Sequence, residues 1–168
     1  TEQQSQQLRE TEKLLERYAP ELRSIVLASN GEVFYSPFLR QRLKEATRER
    51  YPELEYVEII SNGLLFDEKS YDQLQPGAAS IRKARISIDA GNEPSYRSVR
   101  GGDWTRLLKN LEWLGEMRAA GKLDNFRLNF VLRRENLESL EDFFRLAARL
   151  GVDEIFVSRV LPWSDAGL

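Results

Sequence analysis

A chain of 168 residues that is 41% apolar and 31% charged, with 25 basic against 27 acidic groups, has the make-up of one water-exposed domain with its own core. It holds no run of about 18 apolar residues and no signal-peptide pattern, and its mean hydropathy is -0.52, so neither a membrane partner nor export is expected. A formal charge of -2 gives no global attraction to a polyanion, so no nucleic-acid partner is expected. The sequence contains no Cys and no His, which excludes a zinc site of the usual kind, a disulfide, a thiolate-held iron–sulfur cluster, a Cys nucleophile and a Ser-His-Asp triad within it. Chemistry is left to carboxylates, Arg, Lys, Ser, Tyr, the backbone or a bound cofactor, and the lack of disulfides fits the cytoplasm.

From Thr1 to about Tyr18 the chain is rich in Gln, Glu and Arg, which predicts a polar helix. Short Val-, Ile- or Phe-rich runs then predict strands at Ser24–Ala28, Glu55–Ile60, Ala84–Ile88, Phe126–Leu132 and Ile155–Val160. Helical patterns fill the gaps. Ser36-Pro37 opens one that ends near Arg50, before Tyr51-Pro52. Asp67–Gln75 is a shorter one, closed by Pro76-Gly77. Asp103 caps a long helix in which Trp104, Leu107, Leu108, Leu111, Leu114 and Met117 share a face, and Gly121 stops it. Asn136 caps the last, with Leu137, Leu140, Phe143, Phe144 and Ala147 as its buried stripe and Gly151 beyond its end. No low-complexity linker interrupts the series, so a single domain over residues 1–168 is expected.

Strand starts spaced roughly 28 to 42 residues apart, with a helix in each gap, are the signature of right-handed βαβ units and a parallel sheet. In the third strand Ile86 and Ile88 share one face, while Arg85, Ser87 and Asp89 share the other. In the fourth, Leu128, Phe130 and Leu132 oppose Arg127, Asn129, Val131 and Arg133. One face packs on helices and the other is polar. The fold class is therefore α/β, a partial (β/α) barrel of about five parallel strands with helices outside and a polar ligand surface within.

Ligands of parallel sheets lie at the carboxyl ends of the strands. This sequence places there Ala28-Ser29-Asn30-Gly31-Glu32, Ser61-Asn62-Gly63, Asp89-Ala90-Gly91-Asn92-Glu93, Arg133-Arg134-Glu135-Asn136 and Leu161-Pro162-Trp163. Asn30-Gly31-Glu32 presents a carboxylate on a tight turn, suited to a ligand ammonium or equally to water. Asn62-Gly63 is a common turn pair. Ser87 is placed either to bind a ribose or carboxylate or to be satisfied within the core. Arg97 and Arg100, ahead of Gly101-Gly102 and a helix N-terminus, suit a carboxylate or phosphate, or are ordinary surface arginines. Glu32 with Asp89 makes a weak magnesium site. Trp104 and Trp113 read as packing residues, and the charges of Arg40–Arg50 as a solvated face.

In order, these pieces resemble the radical S-adenosylmethionine superfamily. Residues 24–39, Ser-Ile-Val-Leu-Ala-Ser-Asn-Gly-Glu-Val-Phe-Tyr-Ser-Pro-Phe-Leu, are similar to its Gly-Gly-Glu segment, with Asn30 in place of the first Gly. Residues 59–66, Ile-Ile-Ser-Asn-Gly-Leu-Leu-Phe, resemble its Thr-Asn-Gly turn. Ile86-Ser87-Ile88-Asp89-Ala90 followed by Tyr96-Arg97-Ser98-Val99-Arg100-Gly101-Gly102 resembles its Ser-Ile-Asp-Gly strand and Tyr-x-x-x-Arg-Gly-Gly stretch, and Phe126–Asn136 with Leu150–Ile155 completes the likeness. The resemblance implies an S-adenosylmethionine site. There Asn30, Gly31 and Glu32 receive the amino group, Asn62 closes the neighbouring turn, Ser87 lies near the ribose or carboxylate, Arg100 pairs with the carboxylate, and Asn129 or Val131 lies beside the adenosine. It also implies a four-iron four-sulfur cluster on a Cys-x-x-x-Cys-x-x-Cys loop, and that motif does not occur in these residues. The expectation is thus a radical S-adenosylmethionine core short of its cluster-bearing unit, a fragment or degenerate homologue with weak cofactor binding and no turnover of its own. Two alternatives stand beside it. One is a non-catalytic half-barrel that pairs with itself or a missing N-terminal strand through the exposed edge of its first strand; the other is a phosphate-binding domain.

Overall fold

The structure, a computed structural model, describes residues 2–27 and 32–159. Helix α1 spans Glu2–Tyr18, and a short 3-10 turn, Ala19–Glu21, leads into β1 (Ser24–Leu27). There follow α2 (Pro37–Lys44), β2 (Tyr56–Ser61), α3 (Glu68–Gln73), β3 (Ile81–Ser87), α4 (Glu93–Val99), α5 (Trp104–Ala119), β4 (Asn125–Leu132), α6 (Leu140–Arg149) and β5 (Glu154–Arg159). All strand pairs are parallel and lie in chain order, β1-β2-β3-β4-β5, so each consecutive βαβ unit adds its strand beside the last. Among the described residues β1 and β5 are the two edges. The sheet is therefore an open α/β wall, as the alternation of polar and apolar faces requires.

The helix-side face is the core. Val57, Ile59, Ile81, Ile86, Phe126, Leu128 and Phe130 from the three central strands are 0% exposed. They share one cluster with Leu43 of α2, Leu107, Leu111 and Leu114 of α5, and Phe143 of α6. Each such side chain contributes about 1.5–3 kcal/mol of apolar burial, enough to hold the helices against the sheet. Trp113 packs edge-on against Phe66 and Tyr71, both at 5.8 Å, and Trp104 lies 5.4 Å from Tyr96, so both tryptophans serve packing.

The opposite face carries charge, and the charge is largely paired. Arg85 Nη2 meets Glu58 Oε1 at 2.5 Å, and Lys83 Nζ lies 3.8 Å from the centre of the Tyr56 ring. Arg127 donates from Nε to Asn129 Oδ1 at 3.1 Å, reaches Glu154 at 3.6 Å and stacks 4.6 Å from the Phe156 ring. Such pairs let a polar wall stand without stranding a charge.

Several elements differ from the sequence reading. β3 starts at Ile81, not Ala84, because the register shifts between Val57 and Glu58 and lets the charged Arg82-Lys83 pair enter the strand. α2 stops at Lys44 instead of near Arg50: Gly77 sits so close to this end that a Cβ there would meet Leu43 O at 1.9 Å and Lys44 O at 2.6 Å. Short α4 escapes the apolar periodicity because Tyr96 is its one buried residue, and Asn92 caps it by accepting from Ser95 N at 3.1 Å. Asn136 does not cap α6. It lies inside a 3-10 turn, Arg134–Ser139, and its side chain is spent elsewhere. Asp89 leaves the strand alternation altogether, with φ of 52°. Ala28 and Val160, the expected ends of the outer strands, lie outside the described residues, as does Leu161-Pro162-Trp163. Among the described residues no helix is long and apolar enough to cross a membrane.

Candidate functional site

The carboxyl ends of β2, β3 and β4 form one rim, and two charged side chains are fixed along it. The first is Glu32, half-buried on the connection from β1 to α2. Its Oε1 accepts from Ser61 Oγ at 2.7 Å and its Oε2 from Asn62 N at 2.9 Å, so the last residue of β2 and the turn beyond it hold the carboxylate. These are charge-assisted bonds, about twice as strong as neutral ones. Oε1 also accepts from Phe34 N at 3.4 Å, so of a carboxylate's about four acceptor positions one remains for a further donor. The turn is itself locked: Ser61 Oγ accepts from Gly63 N at 2.9 Å, Asn62 Oδ1 from Leu64 N at 2.9 Å, and Asn110 of α5 donates to Gly63 O at 2.8 Å. Gly63 is required there, since φ is +80° and a Cβ would lie 2.8 Å from both Ile86 and Leu107.

The second charge is Arg100, just past α4. Its Nε and Nη2 donate to Asp89 Oδ2 at 3.0 and 2.7 Å. Asp89 Oδ1 accepts from Val131 N at 2.7 Å, which ties the end of β3 to β4. Asn136, 0% exposed, completes the joint: its Nδ2 donates to Asp89 O and Val131 O, each at 2.9 Å, and its Oδ1 accepts from Arg133 N at 2.7 Å. Nearby, burial raises the Tyr96 phenol above its ordinary value, with help from the charges of Asp103 and Asp89 and opposition from Arg100.

Beside these two charges lies the inner face of the β3 and β4 ends. Ser87 stands in register with Asn129, and Asn129 with Phe156 on β5. Ser87 and Val131 are half-buried, and Asn129 Oδ1 is occupied by Arg127. Ser61 is in register with Ile86, so the Glu32 anchor and Ser87 sit on neighbouring strands. The structure thus brings Glu32, Asn62, Ser87, Arg100, Asn129 and Val131 to one rim; Asn30 and Gly31 lie outside the described residues. Asn62 takes part through its backbone N–H, while its side chain makes the turn.

The alternative sites do not assemble. Of the two basic groups a phosphate at Gly102 would need, Arg97 is paired with Glu93 at 2.8 Å, which leaves that site without its second cation. Glu32 and Asp89 each satisfy different partners, and the described residues hold no group of three or more carboxylates suited to a metal. Reading residues singly passed over Ser61 and Asn110 and the roles of Asp89 and Asn136. An Asp ending an apolar strand before Ala-Gly-Asn was the visible signal for one of them.

The family model described as "Radical SAM superfamily" matches residues 2–147. A "Probable GTP 3',8-cyclase" of Sulfurisphaera tokodaii is 28% identical over 142 residues, covering 84% of this chain and 42% of that protein. An "AdoMet-dependent heme synthase" of Methanosarcina barkeri is 28% identical over 141 residues, covering 82% of this chain and 37% of that protein. The chain therefore spans less than half the length of these curated relatives. Among solved structures, Streptococcus suis SuiB bound to S-adenosylmethionine superposes with a TM-score of 0.59 at 15% identity, covering 86% of this chain and 30% of that one, which shows a shared fold. With most of its length matched, the chain belongs to the radical SAM superfamily.

Proposed function

We propose that the rim binds S-adenosylmethionine. Glu32 receives the ammonium, Arg100 the carboxylate, Ser87 faces the ribose or carboxylate, and Asn129 or Val131 flanks the adenosine. The observation that carries this reading is a fixed anion, Glu32, anchored at the end of β2 by Ser61 and Asn62, and a fixed cation, Arg100, anchored at the end of the neighbouring β3 by Asp89. That arrangement complements a zwitterionic amino acid, and the half-buried inner face beside it complements a nucleoside.

In the family the cofactor supplies a 5'-deoxyadenosyl radical, chemistry that draws an electron from a four-iron four-sulfur cluster. The 168 residues contain no Cys and no His, so they supply none of the usual cluster ligands, and no turnover is expected of this chain by itself. Its residues bind and orient; affinity is weak without a cluster to chelate the amino acid end. The relatives carry the names of two different activities, so no substrate is carried over to this chain.

The test is calorimetric titration with S-adenosylmethionine of the wild type and of Glu32→Ala and Arg100→Ala. Each variant is expected to bind about tenfold or more weakly, the loss of one charge-assisted contact. Binding that neither substitution changes refutes the site. A second reading concerns β1, whose outer edge has no strand beside it among the described residues and whose Val26 is 51% exposed. We propose that this edge accepts a further strand, either from another part of a longer chain or from a second copy. Sedimentation of the wild type against Val26→Lys separates the two, because only self-pairing gives a dimer that the lysine disperses.

A further inference from the structure

We infer that Asp89 is the positioning residue for Arg100: it turns the guanidinium so that its free edge, and not merely its charge, meets the carboxylate of the bound amino acid. The inference rests on the proposed cofactor site and goes beyond it by naming the residue that orients the cation. Asp89 is unusual in three ways. It is the one described non-glycine residue with positive φ, a conformation that costs an ordinary residue about 1–2 kcal/mol. Its side chain is 3% exposed although charged. Both of its oxygens are committed, Oδ1 to Val131 N at 2.7 Å and Oδ2 to Arg100 Nε and Nη2 at 3.0 and 2.7 Å.

Arg100 is held differently. Its backbone is set by the end of α4, where Arg100 N donates to Tyr96 O at 2.8 Å, and its side chain is 32% exposed. Two of the three guanidinium nitrogens go to a single oxygen of Asp89, while Nη1 makes no hydrogen bond to the described residues. A planar fork clamped along one edge presents the other edge in a fixed plane, which a lysine ammonium cannot do. An unclamped arginine must surrender its rotamer freedom when it binds; one held on Asp89 has surrendered it already. Asparagine cannot replace Asp89. Whichever way its amide turns, an NH2 group faces either Val131 N–H or the guanidinium, donor against donor.

The experiment compares wild type with Asp89→Asn, using S-adenosylmethionine and its decarboxylated analogue as ligands and the Arg100 Nε–Hε resonance of the free protein as a ligand-independent readout. The expected result is an about tenfold fall in the preference for the carboxylate-bearing ligand. The analogue's affinity should be unchanged within about twofold, and Hε should lose its protection from solvent exchange in the variant. Equal weakening of both ligands means that Asp89 only holds the rim together, and overturns the inference. So does an unchanged or increased preference, which means that the Asp89 charge opposes the ligand carboxylate. If neither protein binds S-adenosylmethionine, the cofactor reading fails and titration with acetate decides the present one: a shift of the Arg100 resonance that is larger in wild type than in Asp89→Asn supports it, and no such difference overturns it. Should Asp89→Asn fail to fold, Arg100→Lys, altered at a half-exposed side chain, carries the test. The lysine is expected to lose the preference or, where no cofactor binds, the acetate-induced shift of the Gly101 backbone amide seen in wild type, and retention of either overturns the inference.

Discussion

Asn136→Ala isolates the joint between the ends of β3 and β4. The side chain is fully buried and makes three hydrogen bonds, to Asp89 O, to Val131 O and from Arg133 N. Truncation leaves three backbone groups without that partner, and each costs about 1–3 kcal/mol where water cannot replace it. The vacated space is lined by those same polar groups, so an entering water restores part of the loss. The expected destabilisation is therefore about 3–5 kcal/mol, well above an ordinary point substitution. Urea unfolding followed by circular dichroism measures it as a fall in the midpoint at unchanged slope. The neighbouring Leu137, 55% exposed, is the control, and its alanine variant should stay within about 0.5 kcal/mol of wild type. A loss below about 1 kcal/mol for Asn136→Ala would show that the joint closes without its amide.

Gly91→Ala should cost about 3 kcal/mol, the upper end for overpacking, in the same urea assay, because the new Cβ falls 2.1 Å from Phe143 N and 2.3 Å from Ser139 O, backbone atoms of α6 and its approach; a loss under about 1 kcal/mol would mean that α6 shifts freely. Asp153→Asn should lower the thermal midpoint at pH 7, and the gap from wild type should close in acid. The hydrogen bond from Arg118 holds the Asp153 carboxyl below its ordinary value near 3.8, against the opposing effect of burial. A depressed carboxyl contributes stability above its unfolded value, and that contribution disappears as pH falls through the folded one. A gap that persists unchanged to pH 2 would place the effect of the substitution elsewhere.

The strands were legible by their short apolar runs, and the buried residues of β2, of β4 up to Phe130 and of β3 from Ala84 onward follow the alternation that the sequence displays. Caps were legible for a local reason: Ser36 accepts from Leu39 N at 3.3 Å and Asp103 from Arg106 N at 3.0 Å, three residues ahead in each case. Where local pattern misled, a distant contact had decided. Gly77 approaches α2 closely where that helix ends, and Asn136 has the composition of a cap but spends its amide on residues of two strands. Charged Arg82 and Lys83 hid the first half of β3 because strand membership there depends on a face that Asp124 and Tyr56 make hospitable.

The rim shows the same division more sharply. Glu32 and Ser87 were visible as residue types at or after strand ends, since parallel topology sends such loops to one side, and Arg100 as a residue ahead of a helix N-terminus. Their partners were not visible, because the bonds that give them roles span the chain: Glu32 reaches 29 residues to Ser61, and Asp89 reaches 42 residues to Val131. A free arginine and a clamped one are the same letter. What separates them is a carboxylate that the β3 backbone turns toward Arg100, in a conformation that no helix or strand propensity favours. Residue identity therefore specifies which charges a ligand would meet, whereas the orientation of those charges is a property of the closed sheet end and exists only once β3 and β4 have paired.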